Sequence, residues 1–265
     1  MPGVTVTIIT KDEAPNIAAA LASVAWADER LVVDSGSTDD TVAIARQAGA
    51  RVLVRPWDGY AAQKNFAAGE AQHDWILSVD ADERVSDRLG DEIRTLLSES
   101  PAAAGYRMPR VTWHLGRWIR STDWYPDYQL RLYDRRRARW APRLVHESVS
   151  ADGPVEMLAG ELLHYAYRDI AHHLQTMDRY TTLAAQQMLA EGRRAHWYDV
   201  FLRPRLVFFR NYVLRGGFRD GSAGLIVSWM NAQYVGLKFA KLWELCSPST
   251  STRPAPGAAD STRSS

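Results

Sequence analysis

Two carboxylates separated by a single residue carry the strongest chemical signal in the sequence. Asp80 and Asp82 directly follow the apolar run Trp75–Val79, which has the composition of a buried strand. Acids in this arrangement at a strand end converge on one hard divalent cation, Mg²⁺ or Mn²⁺, whose other ligands are substrate phosphates. Such a cation would neutralise a departing diphosphate. The alternative is that both acids are turn or capping residues before a helix that begins near Ser86.

A second polar cluster spans Asp34 to Asp39 and follows another apolar run. Gly36 is free to form a tight turn there, and Asp39 is placed to cap the next helix. Asp34 stands at the strand tip, where its carboxylate can accept a hydrogen bond from the N–H of a nucleotide base. A capped loop explains the rest of the cluster without a ligand but explains Asp34 less well. No G-x-G-x-x-G pattern is present, so the cluster does not indicate a dinucleotide site.

The polar triplet Gln63-Lys64-Asn65 interrupts an alanine-rich segment with helical character. Lys64 suits pairing with a phosphate or hydrogen bonding to a base. A solvated helix face explains the same triplet equally well, so the residues alone leave both interpretations open.

The first hundred residues alternate short β-branched runs with alanine-rich stretches, the βαβ pattern of a parallel sheet covered by helices on both faces. Loops at the carboxyl ends of such strands converge and bind ligands. A third polar cluster, Lys11 to Glu13, follows the first strand and joins the other two at this edge. The predicted strands are Val4–Thr10, Arg30–Asp34, Arg51–Arg55 and Trp75–Val79, and the predicted helices are Ala14–Ala25, Asp39–Ala48 and Tyr60–Ala71.

The pattern changes twice after the first hundred residues. From Gly105 it becomes irregular and aromatic-rich, with short strands such as Gln129–Tyr133 and Leu144–Val149, which indicates an antiparallel or mixed extension of the sheet. From Asp169 it is helical, and after Pro248 the chain has too little apolar content to fold, which predicts a disordered tail. The predicted helices of this part are Asp169–Glu191, Asp199–Leu214 and Ser222–Glu244.

The amino-acid composition limits the cellular compartment and the kinds of partner that the sequence predicts. The net charge of +1 gives no reason to expect a polyanionic partner such as a nucleic acid. The single cysteine, Cys246, excludes an internal disulfide and a Cys-based zinc site and fits a reducing compartment. The first ten residues lack signal-peptide character, and no apolar run reaches the roughly 18 to 20 residues that cross a bilayer. These features predict a cytoplasmic protein.

Four segments together resemble the family 2 glycosyltransferases of the GT-A fold, and most closely the lipopolysaccharide core β-1,4-glucosyltransferase group. They are Ile8–Ile17, Val32–Asp39, Gln63–Asn65 and Ser78–Glu83, and the resemblance covers roughly residues 4 to 245. It departs at Asp12, where the group commonly has Asn. The resemblance implies a Rossmann-like, mostly parallel sheet with helices on both faces and a helical C-terminal extension. It also implies an inverting enzyme of the cell envelope that uses a nucleotide-sugar donor, often UDP-linked, and a glycan or lipid-linked acceptor.

The same resemblance assigns site residues and domains. It places Asp80 and Asp82 at the diphosphate and a divalent cation. The residues assigned to the nucleotide are Thr10, Lys11, Glu13, Asp34, Ser35, Gln63, Lys64 and Asp80. The predicted domains are a catalytic domain at 1–167, with a nucleotide-sugar half at 1–100 and an acceptor half at 101–167, a helical extension at 168–247 and a tail at 248–265.

An inverting transfer needs a base that takes the proton of the acceptor hydroxyl. His146 and Glu147 lie in the apolar stretch Leu144–Val149, where neighbouring side chains of a strand point to opposite faces. Glu147 is the expected base, with His146 supporting the metal or the diphosphate. The alternative is a buried His–Glu pair with no catalytic role.

A second loop is a rival source of the base. Asp123 and Asp127 flank Trp124 and Tyr125, whose rings suit stacking on a sugar of the acceptor.

Two other protein classes share some features of this sequence with the glycosyltransferases. A nucleotidyltransferase normally has a glycine-rich loop after the first strand, which is missing here, and a non-catalytic assembly protein would not need both Asp80 and Asp82.

The segment Arg193–Arg219 contains seven arginines and one acid, Asp199, interleaved with aromatic and aliphatic residues. This mixture predicts that the helical extension docks on the anionic cytoplasmic face of a membrane. The alternative is that its apolar residues pack on the catalytic domain or on a second copy of the chain, in a homo-oligomer.

Overall fold

The computed structural model describes residues 2–99, 101–141 and 148–247. One compact unit runs to Asp169, and a second begins at Ile170. The expected base Glu147, its neighbour His146 and most of the predicted strand Leu144–Val149 lie outside the described residues. The predicted tail 248–265 lies outside them as well.

The first unit opens with four parallel strands. They lie in the order β3-β2-β1-β4, and β1 pairs with β2 and β4 along its length. The predicted alternation of strands and helices is confirmed, with ends that differ by one to two residues. The strands are β1 (Val4–Thr10), β2 (Glu29–Asp34), β3 (Arg51–Val54) and β4 (Trp75–Asp80), and the helices are α1 (Ala14–Ser23), α2 (Thr41–Gln47) and α3 (Tyr60–Glu70).

The sheet continues through a mixed extension, as predicted. Strand β8 pairs antiparallel with β4 and β6, whereas β12 runs parallel to β6, giving the order β3-β2-β1-β4-β8-β6-β12-β5. Strands β7 and β11 also pair with β6, and β9 and β10 form a separate hairpin. The elements are β5 (Glu83–Val85), α4 (Asp87–Ser98), β6 (Gly105–His114), β7 (Arg117–Ile119), a 3₁₀ turn (Thr122–Trp124), β8 (Asp127–Asp134), β9 (Ala138–Ala141), β10 (Ser148–Ala151), β11 (Val155–Met157) and β12 (Leu162–His164).

Helices cover both faces of the parallel strands because alternate strand residues point to opposite sides. Ile8 and Leu77 pack in one buried cluster with residues of α1 and α4, whereas Ile76 packs in another cluster with residues of α3. Ser86 caps α4, and its hydroxyl accepts the Leu89 N–H at 3.3 Å. The predicted helix start near Ser86 is therefore confirmed.

The start of α2 differs from the prediction. Asp40, and not Asp39, is the N-cap residue, and its side chain makes no capping bond. Asp39 instead accepts the N–H of Thr41 at 3.0 Å and the N–H of Ala14 at 3.1 Å. Its carboxylate therefore links the first turn of α2 to the first turn of α1.

The second unit is helical. It contains α5 (Ile170–Ala190), α6 (Trp197–Phe209) and α7 (Gly221–Cys246), with a π turn at Arg210–Leu214 and a 3₁₀ turn at Gly217–Asp220. The predicted helix Asp199–Leu214 is thus an α-helix that ends in a π turn. Buried residues of α5 and α7, such as Met188 and Phe239, hold the unit together. In the part of the chain that the structure describes, no helix is long and apolar enough to cross a membrane.

Gly160 is required by close packing rather than by backbone conformation. A Cβ at this position would lie 2.4 Å from Leu89 Cα, which is backbone of α4 and cannot move aside cheaply. We expect Gly160→Ala to lower the free energy of unfolding by about 2 kcal/mol or more, as overpacking does. The matched control is Gly69→Ala in α3, where a Cβ would meet nothing within 4 Å. This control should raise stability by up to about 1 kcal/mol. Urea unfolding of both variants tests the pair, and equal stabilities would contradict this packing.

Candidate active site

The carboxyl end of β4 presents Asp80 to two cations. Its Oδ1 lies 2.8 Å from Lys64 Nζ, and its Oδ2 lies 2.5 Å from a guanidinium nitrogen of Arg131. Lys64 comes from α3 and Arg131 from β8, so one side chain of the parallel half and one of the extension meet on the same carboxylate.

Glu83, at the start of β5, extends this arrangement. Its side chain is fully buried, and Oε1 lies 2.8 Å from Arg131 and 3.1 Å from Arg110. Its other oxygen, Oε2, accepts the backbone N–H of Asp80 at 3.0 Å. Arg110 in turn donates two hydrogen bonds to Asp127 Oδ2, at 2.6 and 2.9 Å. We call these six residues, Lys64, Asp80, Glu83, Arg110, Asp127 and Arg131, the charge network.

The charge network has three cations and three carboxylates, and its close pairs shift the pKa values of Asp80, Lys64 and Arg131. Burial alone would raise the pKa of Asp80, but Arg131 and Lys64 outweigh it and hold that pKa well below its ordinary value. Burial lowers the pKa of Lys64, with Asp80 opposing the shift. The Asp80 and Glu83 carboxylates raise the pKa of Arg131 against its own burial. Asp80 therefore stays ionised at any physiological pH.

The triplet Gln63-Lys64-Asn65 fixes α3 to three other parts of the first unit. Gln63 donates to Ser35 Oγ at 2.9 Å, in the loop after β2. Lys64 is buried and lies 4.3 Å from the ring centre of Trp140, so the interpretation of this residue as part of a solvated face is wrong. Asn65 bonds both the N–H and the carbonyl of Trp140 in β9.

Asp82 is in a different environment from Asp80. Its carboxylate, 31% exposed, lies 3.3 Å from Nε2 of His164, whose Nδ1 lies 3.3 Å from Thr112 Oγ1. Burial works to raise the pKa of Asp82, but the hydrogen bond and charge of His164 lower it below its ordinary value. Asp80 and Asp82 are equally exposed, but Asp82 is paired with an imidazole, whereas Asp80 is paired with two cations.

The loops after β1 and β2 are joined by hydrogen bonds. Asp12 accepts the N–H of Thr38 at 2.7 Å, and its own N–H donates to Ser37 Oγ at 2.8 Å. Asp12 has a φ of 54°, a left-handed conformation for which Asp is among the better suited residues. Two of the three predicted polar clusters thus form one continuous surface, from which the side chain of Lys11 is exposed.

Asp34 is 1% exposed and bound within its own loop. Its Oδ2 accepts the N–H groups of Gly36 and Ser37, both at 2.9 Å, and its Oδ1 accepts the Ser37 hydroxyl. Gly36 has a φ of 86°, as the tight turn requires. These contacts explain Asp34 as the residue that shapes the loop, which the sequence could not show.

Two further residues of the predicted nucleotide set lie at this edge. Thr10 ends β1, where it pairs in register with Asp34, and is buried. Glu13 accepts a hydrogen bond from Asn16 at 2.8 Å. Burial raises the pKa of Glu13, and the nearby carboxylates of Asp82 and Asp39 add to the shift. The carboxyl ends of the parallel strands thus bring these two residues to the same edge of the sheet as Asp34 and Asp82.

The predicted acceptor residues are already engaged with other side chains. The Tyr125 hydroxyl donates to Glu161 at 2.8 Å. The ring of Trp124 lies 5.7 Å from that of His114 and 5.6 Å from that of Tyr167, in an aromatic cluster. Asp127 belongs to the charge network, whereas Asp123 is exposed in the 3₁₀ turn.

The sequence analysis did not identify Arg110, Arg131, Trp140 or the contact of His164 with Asp82. A signal for Arg131 exists, because a lone cation between Leu130 and Leu132 has no reason to enter a buried strand unless it meets an acid there. His164 gives no such signal, since its partner is far away along the chain.

Comparison with known proteins identifies relatives of this fold. The family model described as Glycosyl transferase family 2 matches residues 5–151. The chain is 31% identical, over 89% of its length and 90% of the relative, to the lipopolysaccharide core biosynthesis glycosyltransferase LpsC of Rhizobium meliloti. It is 33% identical to an uncharacterized glycosyltransferase of Rickettsia felis, over 92% and 90% of the two chains.

Among solved structures, the mannosyltransferase PcManGT from Pyrobaculum calidifontis, in complex with GDP-Man and Mn²⁺, shares the fold. The match has a TM-score of 0.54 at 16% identity and covers 92% of this chain and 88% of that one.

Arg131 is the member of the charge network whose loss should cost most. Arg131→Met leaves the buried Glu83 and the partly exposed Asp80 with one cationic partner fewer each, and removing one side of a buried ion pair such as Arg131–Glu83 typically costs about 3–5 kcal/mol. The matched control is Arg94→Met, which removes an exposed arginine paired with Asp91 and should cost under about 1 kcal/mol.

A double variant tests whether the charges of Arg131 and Glu83 interact. Arg131→Met with Glu83→Gln removes a charge of each sign, so the double loss in unfolding free energy should be smaller than the sum of the single losses. Additive losses in urea unfolding would show that the two charges do not interact.

Proposed function

The chain belongs to glycosyl transferase family 2, and we propose that it moves a hexose from a UDP-linked donor to a glycan or lipid-linked acceptor of the cell envelope, with inversion. One observation carries this proposal. The end of β4 presents two acids with different partners, Asp80 paired with the cations Lys64 and Arg131, and Asp82 paired with the imidazole of His164. The relative from Rhizobium meliloti, named for lipopolysaccharide core biosynthesis, supports the cell-envelope acceptor.

Asp80 and Asp82 are the residues that would hold a divalent cation, and the imidazole nitrogen Nε2 of His164 lies 3.3 Å from Asp82. A carboxylate oxygen and an imidazole nitrogen are both acceptable ligands for Mn²⁺, and Mg²⁺ commonly takes only one or two carboxylates and fills its other positions with water and substrate phosphates. Within residues 2–99, 101–141 and 148–247, no group of three or more His, Cys, Asp or Glu side chains forms a complete site. The cation would supply positive charge to the departing diphosphate. The Mn²⁺ and GDP-Man in the PcManGT complex support this pairing of metal and donor.

The loops after β1 and β2 are the proposed nucleotide site. Their hydrogen bonds through Asp12 make one surface beside Asp82 and Glu13, which suits a base and ribose whose phosphates extend toward Asp82. Asp34 acts in this site by holding the turn at Gly36, so that the backbone of the loop faces the nucleotide. Gln63 and Lys64 act indirectly, because Gln63 donates a hydrogen bond to Ser35 and Lys64 forms an ion pair with Asp80.

Glu147 is the proposed base, with His146 beside the diphosphate. The described strands on either side of these residues support the proposal, because β9 and β10 pair antiparallel and Asn65, next to Lys64 in α3, binds Trp140 in β9. The rival Asp127 is less suited to accept a proton because Arg110 and Gln129 already bind its two oxygens.

The acceptor is proposed to lie against the extension of the sheet, near Trp124 and Tyr125. A lipid-linked acceptor would be presented at the cytoplasmic face of a membrane, so we place the reaction there. No role in nucleic-acid binding is proposed, in keeping with the near-neutral charge of the chain.

Asp82 is the best single test of the metal and the reaction. Asp82→Asn should lower kcat/KM for transfer, or for donor hydrolysis in the absence of acceptor, by at least about 100-fold, because the charge that holds the cation is lost. The matched control is Asp91→Asn, an exposed acid of α4 that should leave activity unchanged. Release of UDP or GDP from a panel of UDP- and GDP-sugars, with Mn²⁺ and with EDTA, measures both variants. Full activity of Asp82→Asn in EDTA would remove the metal from the proposal.

The base is tested by separating turnover from binding. Glu147→Gln should lower kcat by about 100-fold or more with little change in donor affinity, because a general base acts in the transition state. Asp123→Asn and Asp127→Asn serve as comparisons under the same conditions. Should Asp123→Asn alone give this separation of kcat from donor affinity, the base lies in the 3₁₀ turn and not at Glu147.

A further inference from the structure

The helical unit carries an excess of positive charge, with ten Lys and Arg against five Asp and Glu in residues 170–247. The segment Arg193–Arg219 has seven arginines and one acid, Asp199. Asp199 is buried, lies 2.5 Å from Arg203 Nε and accepts the His196 N–H at 2.9 Å, as the cap of α6. Its single charge is therefore committed to one arginine and to the helix start.

Four of the cations meet in a cleft between α6 and α7. The cleft has a volume of about 360 Å³, in the range of small-ligand sites. It is lined by Arg193, Arg203, Arg210 and Lys238, and by the apolar residues Leu206, Val207, Val235 and Phe239. We call it the basic cleft.

The cations of the basic cleft repel one another. Burial lowers the pKa of Lys238, and the charges of Arg193 and Arg203 lower it further. An anion in the cleft would relieve this repulsion. Guanidinium groups bind phosphate oxygens through paired N–H donors, so a phosphate suits the cleft better than a carboxylate on a flexible chain.

An exposed apolar row borders the basic cleft. Leu202, Leu206 and Phe209 follow one another at intervals of four and three residues, which places them on one face of α6. They are 48%, 59% and 53% exposed, and Leu206 also lines the cleft. Trp197, 71% exposed, stands at the start of the same helix. Apolar and aromatic residues beside cations are typical of a helix that lies at a membrane surface.

We propose that the basic cleft binds the phosphate of an anionic phospholipid while the row of Leu202, Leu206 and Phe209 inserts between the acyl chains. A soluble phosphate would fill the cleft but leave the apolar row in water. A second copy of the chain would cover the row but bring the same cations against the cleft, which like-charge repulsion disfavours. The proposal goes beyond sugar transfer and does not depend on it.

The test is cosedimentation of the full chain with vesicles of phosphatidylglycerol and phosphatidylcholine. The double variant Arg193→Gln, Lys238→Gln should raise the lipid concentration for half-maximal binding about 30-fold, because the loss of each cation should raise it about fivefold. The matched control, Arg194→Gln with Arg205→Gln, removes the same charge from exposed positions outside the cleft and should raise it less than about fivefold. Pure phosphatidylcholine vesicles should bind neither wild type nor variants.

Three outcomes would overturn the proposal. The first is that wild type fails to bind anionic vesicles, and the second is that the cleft and control pairs weaken binding equally, which would mean diffuse surface charge. In the third, inorganic phosphate raises the melting temperature of wild type but not of the Arg193→Gln, Lys238→Gln variant, and wild type does not bind vesicles. That result would assign the cleft to a soluble phosphate. Donor hydrolysis by the same variants should match wild type, so loss of lipid binding is separable from loss of catalysis.

Discussion

The buried pairing of Asp80 with Lys64 and Arg131 is the interaction on which the rest of the site depends. Charges taken out of water cost several kcal/mol each unless they are paired and hydrogen-bonded. Here the compensating charges come from α3, β6 and β8, and Glu83 bridges two of them. Neither the parallel half nor the extension of the sheet supplies all of the charges in this network alone. The first unit therefore assembles its active-site edge by joining them.

The two acids that are equivalent in the sequence are unequal in the structure. Asp80 is still part of β4 and pairs with two buried cations, whereas Asp82 follows the strand end and pairs with the imidazole of His164. One acid thus organises the protein and the other remains available to a ligand. A spacing of two residues signals proximity to a common site, but it does not say which carboxylate is already neutralised.

Local patterns sufficed for the parallel half of the fold. The β-branched runs predicted β1 with its observed ends, and the polar clusters were correctly expected at one edge of the sheet. The partners of those clusters could not be predicted in the same way, because Arg131 is 51 residues from Asp80 in the chain and no local periodicity encodes that contact. The environment of Lys64 was undecided for the same reason, since the ring and carboxylate that bury it belong to other strands. Asp39 illustrates a smaller limit, as a loop with several acids offers more than one capping position.

Helix α3 has a consequence for how the length of this chain can vary among its relatives. Successive residues of a helix are rotated by about 100°, and Gln63, Lys64 and Asn65 use that rotation to reach a loop, a strand end and a hairpin. One residue gained or lost between Tyr60 and Gln63 would turn all three side chains away from their partners at once. The preceding loop, Pro56 to Gly59, is free of that constraint. Insertions and deletions between β3 and the site should therefore accumulate before Tyr60 and stop there.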